Sequence, residues 1–166
     1  MTEIPIADFD GADQPTAFAV RVLMRPGRLH PQPWMPRTWQ VIGVVADGDQ
    51  SVPGEVSLSA EGEDGMRIYR GLQVHLHPDE AESYYHNLTV DQPRCFVVTR
   101  DDDAGEQAPF LVTLSYDEAN AYLEGDDQVH AVDLAPELYR WVEGYVLSHY
   151  LPAQRKKRKR TNWKAS

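Results

Sequence analysis

Cysteine is almost missing from the 166 residues. Its one occurrence, Cys95, excludes an intrachain disulfide and any zinc or iron–sulfur site built on this chain's cysteines alone. A reducing compartment suits such a chain. Lysine is missing altogether from residues 1–154, where nine arginines face all 26 acidic side chains for a net charge of −17. Long apolar runs are missing too: the longest, such as residues 41–46, fall far short of the ~20 residues a membrane-spanning helix needs. The first sixteen residues show neither the basic nor the apolar region of a secretory leader, so a cytoplasmic protein is expected. No glycine-rich loop is present to cradle a phosphate, and no nucleophile-elbow glycines flank Ser115. Nucleotide-binding and serine-hydrolase readings lose their usual signatures.

What remains is ordinary globular material with one anomaly. Hydrophobic residues make up 42% of the chain and charged residues 25%, and a chain of this size buries roughly 70% of its unfolded surface in a single core. The anomaly is the end, RKKRKRTNWKAS, whose twelve residues hold the other seven basic side chains and no acid. The expected organisation is a flexible acidic arm at 1–16, one α+β domain at 17–151 and a basic tail at 152–166. The acidic body repels nucleic acid and anionic membranes, whereas the tail attracts both, as well as acidic proteins and the body itself.

Period-two alternation predicts a first strand over 17–24, with Phe18, Val20, Val22 and Met24 on one face, ended by Arg25-Pro26-Gly27. Pro31, Pro33 and Pro36 make the next stretch an extended connection, and 39–46 reads as a second strand. Residues 47–65 read as a surface loop or weak hairpin with a short strand at 55–59. Strands are expected at 66–69 and 72–77. Residues 72–85 then resemble residues 110–123: each is a strand running into Asp-Glu-Ala-x-x-Tyr. Asp79 and Asp117 suit helix N-caps or first turns, Glu80 and Glu118 the positive helix end, and Tyr84 and Tyr122 a sheet-facing position. Strands at 95–100 and 128–133 follow, with residues 101–107 as a solvated hinge between copies. Pro136 starts a helix in which Leu138, Trp141, Val142, Tyr145 and His149 recur at helical spacing, and Pro152 lies just beyond its end. The fold class is α+β: a mixed, mainly antiparallel sheet with two strand-helix-strand units and a closing helix.

His75 and His77, two apart on a strand, share a face, and with His86 and Glu80 they offer imidazole and carboxylate donors for a transition metal. The second copy has Thr113 and Ser115 there, so the scaffold does not call for histidine, and no metal or other cofactor is assigned. Cys95 opens an apolar strand as a small buried hydrophobe. The paired acids Asp79/Glu80 and Asp126/Asp127 read as caps and solvated turns, so no catalytic residue is assigned. Asn87-Leu88-Thr89 fits a glycosylation pattern that means little in the cytoplasm. Trp34, Arg37 and Trp39 are candidate partner contacts, because aromatic and arginine side chains dominate binding energy; packing on the sheet edge is the alternative. The strongest functional signal is the tail: Arg155, Lys156, Lys157, Arg158, Lys159 and Arg160, with Trp163. It fits an acidic protein partner, nucleic acid through salt-sensitive phosphate contacts, an anionic membrane, or the acidic body itself.

The Trp-containing loop, the block LVTLSYDEANAYL and the Lys/Arg-rich end together resemble a bacterial domain family of unknown function. Its members are typically encoded beside formate dehydrogenase and its maturation genes. The resemblance covers residues 17–164, with Tyr116 where a proline is expected and Leu151-Pro152-Ala153 departing from the usual approach to the basic end. It implies a non-catalytic accessory role for a molybdenum- or tungsten-dependent oxidoreductase, in assembly or delivery of the apoenzyme. The partner is then a redox-enzyme subunit or maturation factor. The alternatives are a nucleic-acid-associated regulator using the tail and a metal-dependent enzyme at the His-x-His strand.

Overall fold

The computed structural model describes residues 15–27, 34, 38–48, 56–62, 65–103, 105–125 and 127–150. Among these residues seven strands and three helices follow in order: β1 (Ala17–Pro26), β2 (Trp39–Ala46), β3 (Ser57–Glu61), β4 (Arg67–His75), α1 (Ala81–Thr89), β5 (Arg94–Asp101), β6 (Gln107–Thr113), α2 (Tyr116–Glu124), β7 (Gln128–Asp133) and α3 (Pro136–His149). A 3-10 turn at Pro78–Glu80 leads into α1. One mixed sheet runs β2-β1-β4-β6-β5-β7, with β3 beside β4, and every pairing is antiparallel except β4 with β6. This is the α+β architecture expected.

The alternation in β1 holds as read: Val20, Val22 and Met24 are fully buried on one face. The strand nevertheless continues to Pro26, opposite Trp39, and the Gly27 amide donates to the Thr38 carbonyl at 2.6 Å. A Cβ at Gly27 would lie 2.3 Å from the Thr38 hydroxyl, so the approach requires glycine. The two strands expected over 66–77 are one. Arg70 and Gly71 together oppose Arg21, a bulge made possible by Gly71 at φ 90°, and pairing resumes at Leu72. The bulge also directs Arg70 at the buried Asp47 carboxylate, which accepts bonds of 2.8 and 3.0 Å from Arg70 and 3.2 Å from Arg21.

The sheet curls. Its two ends, β2 and β7, come back alongside each other with Cα atoms within 8 Å, and the concave face holds the main core. α3 lays Leu138, Trp141, Val142, Tyr145 and Val146 into that face, setting Trp141 at a tilt beside Phe18 (ring centroids 5.0 Å). At about 1.5–3 kcal/mol per large apolar side chain, those five residues contribute on the order of 10 kcal/mol of burial. The last two residues of the expected arm are tied down here, since Trp141 donates to the Pro15 carbonyl and the Leu76 amide to that of Thr16. The expected hinge at 101–107 is a tight β5–β6 turn, closed by the Asp102 carboxylate accepting from the Glu106 amide.

The internal repeat is real in space. Val74 and Val112, matched by aligning the two copies, are neighbours across the parallel β4–β6 pair. Leu76 and Leu114 are both buried, as are Ala81 and Ala119. The copies then diverge. α1 packs with α3 on the concave face, burying Tyr84 against Tyr145, while α2 covers Phe96 and Val98 on the convex face. Tyr84 is 1% exposed, whereas Tyr122 is only half-buried, edge-on to Phe110.

Candidate partner-binding surface

β4 and β6 lie parallel and send their following helices to opposite faces, which opens a crevice at their carboxyl ends. In α/β sheets such a switch point binds ligands, and helix N-termini there attract anions. Here the chain fills the position with its own acids. Ser115, fully buried, caps α2 by accepting the Glu118 amide at 3.1 Å and donates its hydroxyl proton to Glu80 at 2.6 Å. Ser83 completes the set, 3.1 Å from the Ser115 hydroxyl, and Thr113 donates to Glu118 at 2.9 Å. Burial raises the Tyr84 phenol above its usual pKa, and the nearby Glu118 and Glu80 charges push it the same way. With Glu80 and Glu118 accepting from Ser115 and Thr113 beside the two helix starts, this crevice suits a structural clasp between the copies, and a phosphate would meet negative charge. Asp79 and Asp117 sit in first turns, leaving the cap of α2 to Ser115.

The open surface lies to either side of α1. On one side, Tyr85 and Leu88 of α1 face Val146, Leu147 and Tyr150 of α3 across an apolar recess of about 290 Å³. Leu147 is 77% exposed, and the rings of Tyr85 and Tyr150 sit 4.7 Å apart at one end. On the other side, a recess of about 440 Å³ is floored by Phe96, with Val90 (52% exposed) and Tyr116 (61% exposed) at its rim. Arg94 stands at this second recess, bonded to Asp133 at 3.0 Å and to Gln92 at 3.1 Å. α1 is therefore a ridge between two apolar hollows.

Asn87 anchors that ridge. Its amide nitrogen donates to the carbonyls of Arg94 (2.7 Å) and Leu114 (3.0 Å), and its oxygen accepts the Arg94 amide (2.9 Å). The side chain joins the end of α1 to β5 and to the start of the second copy's helix. A buried, fully bonded amide is no glycan acceptor, which disposes of the glycosylation pattern.

The other sequence-selected residues fall as follows. Trp34 is 76% exposed and presents an aromatic surface. Trp39 is 4% exposed: its ring lies beneath the Arg67 guanidinium at 4.3 Å, so it has no surface to offer a partner as it stands. Arg67 is held in turn by Glu61 and Glu106. Arg37 and the tail residues Arg155, Lys156, Lys157, Arg158, Lys159, Arg160 and Trp163 lie outside the described residues, as do residues 1–14 of the arm. His75 ends β4, His77 lies beyond it as the cap of the 3-10 turn, and His86 pairs with Glu82 at 3.6 Å; all three are exposed. Among the described residues no three His, Cys, Asp or Glu side chains group as metal donors. Cys95 is fully buried, and burial pushes its thiol up to about 12.

Sequence reasoning missed Leu147, Val90, Tyr116 and Asn87. Two left a readable trace: Leu147 is a large apolar residue off the buried stripe of α3, and Tyr116 is an aromatic at the first helical position. Among the described residues no helix is long and apolar enough to cross a membrane. Neither a curated protein nor a solved structure gives a match to this chain. A family model matches residues 19–160, from within β1 through all three helices to the cationic run, and the chain therefore belongs to the family described as protein of unknown function DUF3305.

Proposed function

We propose that this protein is a non-catalytic accessory factor of the cytoplasm that docks a protein partner across the surface flanking α1, the partner being a formate dehydrogenase subunit or one of its maturation factors. The observation that carries the reading is the pair of apolar recesses beside α1, with Leu147, Tyr116 and Val90 exposed at their edges. Apolar surface gathered in this way marks interaction sites, and tyrosines supply large contact area at low entropic cost. The resemblance of the chain to proteins encoded beside formate dehydrogenase supports the choice of partner.

The test is capture of a purified formate dehydrogenase subunit by the protein, compared with Leu147→Asp and Tyr116→Asp. Both residues are exposed, so both variants keep the fold. Tenfold or greater loss of capture by either variant, about 1.4 kcal/mol or more, is expected. Equal capture by wild type and both variants refutes the surface. A nucleic-acid-associated role is the second reading, favoured by the seven cations in the last twelve residues. Failure to bind RNA or DNA at low salt removes it, because electrostatic binding is strongest there.

A further inference from the structure

We propose that residues 151–166 of the chain itself occupy the α1–α3 recess in the free protein, with the Trp163 indole as apolar anchor, so that a partner must displace the basic end to dock. This rests on reading that recess as a docking surface. Three observations select the occupant. First, Tyr150, the residue directly before this segment, forms one end of the recess, its ring against Tyr85. Second, the reach is sufficient. Trp163 lies thirteen positions beyond Tyr150, a span of at most about 47 Å, whereas the α3 wall from Tyr139 to Tyr150 rises only about 16 Å. Third, charge is complementary: Glu143 stands in the recess wall, and residues 1–154 carry −17 against +7 for the last twelve. The segment is also tethered. Covalent attachment at Tyr150 holds its far end at an effective concentration on the order of millimolar, so even a weak contact keeps the recess filled.

The experiment uses the full chain labelled with 5-fluorotryptophan. Its four tryptophans give four fluorine resonances, and Trp163→Phe identifies that of the basic end. The expected result is a Trp163 resonance displaced from the position of a free indole. It returns to the free position in Leu147→Asp and in Glu143→Lys. The resonances of buried Trp39 and Trp141 stay in place in both variants and certify the fold. A Trp163 resonance already at the free position in the wild-type chain, or one indifferent to both variants, overturns the proposal. Partner capture by the same variants separates this inference from the reading it rests on. If Trp163 is released by Leu147→Asp while capture is unchanged, partner docking fails and self-occupancy stands. If capture is lost while Trp163 is free throughout, the partner reading stands and self-occupancy fails.

Discussion

Replacing Asn87 with alanine tests whether the ridge between the two recesses is held by one side chain. The substitution removes three hydrogen bonds of 2.7, 2.9 and 3.0 Å. It leaves the Arg94 amide, the Arg94 carbonyl and the Leu114 carbonyl short of a partner at a site where Asn87 is 9% exposed. Each buried backbone group left unsatisfied costs about 1–3 kcal/mol. Arg94 is only half-buried, so water relieves part of the penalty, and the low end applies. The expected loss is about 3 kcal/mol, a large share of the 5–15 kcal/mol typical of a domain. In a chain of this length it lowers Tm by roughly 6–12 °C. Urea denaturation followed by circular dichroism measures it directly. Asn87→Asp should be at least as damaging, because a carboxylate would face two carbonyls. Thr89→Ala, which breaks only an exposed bond to the His86 carbonyl, should cost under about 0.5 kcal/mol. A loss below about 1 kcal/mol for Asn87→Ala would refute the clamp.

Ser115→Ala removes the cap of α2 and the donor to Glu80; a loss of about 2 kcal/mol in chemical denaturation is expected, about half from the cap and half from the bond to a charged group. Cys95, buried with its thiol pushed up to about 12, should resist thiol reagents near neutral pH and become labelled only in step with denaturant unfolding; rapid labelling of the native protein would contradict its placement. His130, whose imidazole is held below its ordinary pKa of 6.5 by burial and lies 3.1 Å from the Thr99 hydroxyl, binds its proton more readily when unfolded. Its contribution to stability is complete above pH 6.5 and is lost as the pH falls through the depressed folded value. Thermal denaturation of His130→Gln should therefore show a flatter loss of stability on acidification than the wild type; an identical slope would remove His130 from the account.

The strands β1, β2, β5 and β7 and the helix α3 were legible because each rests on a short-range pattern. Alternation places Val20, Val22 and Met24 together, and three-to-four spacing does the same for Leu138, Trp141, Val142 and Tyr145. The repeat was legible as well, since similar local sequences form similar strand-helix units. Less could be read wherever one segment's state depends on another. Trp39 looks like a surface aromatic until Arg67, brought from a distant strand, covers it. Asn87 looks like a modification signal until Arg94 and Leu114 converge on its amide. The 66–77 segment divides in two on paper because Gly71 signals a break, yet β1 supplies a partner on both sides of the bulge.

The sequence by itself thus determined most of the elements, the doubled unit and the separation of an acidic body from a basic end, all of which follow from neighbouring residues and net charge. Only the tertiary structure decided that α1 and α2 lie on opposite faces, although both follow the same Asp-Glu-Ala-x-x-Tyr pattern. Each helix takes the face where the rest of the chain leaves apolar surface uncovered: α1 meets α3 over the concave core, and α2 meets Phe96 and Val98 on the convex side. That choice makes α1 a ridge between two hollows, and no periodicity within α1 encodes it.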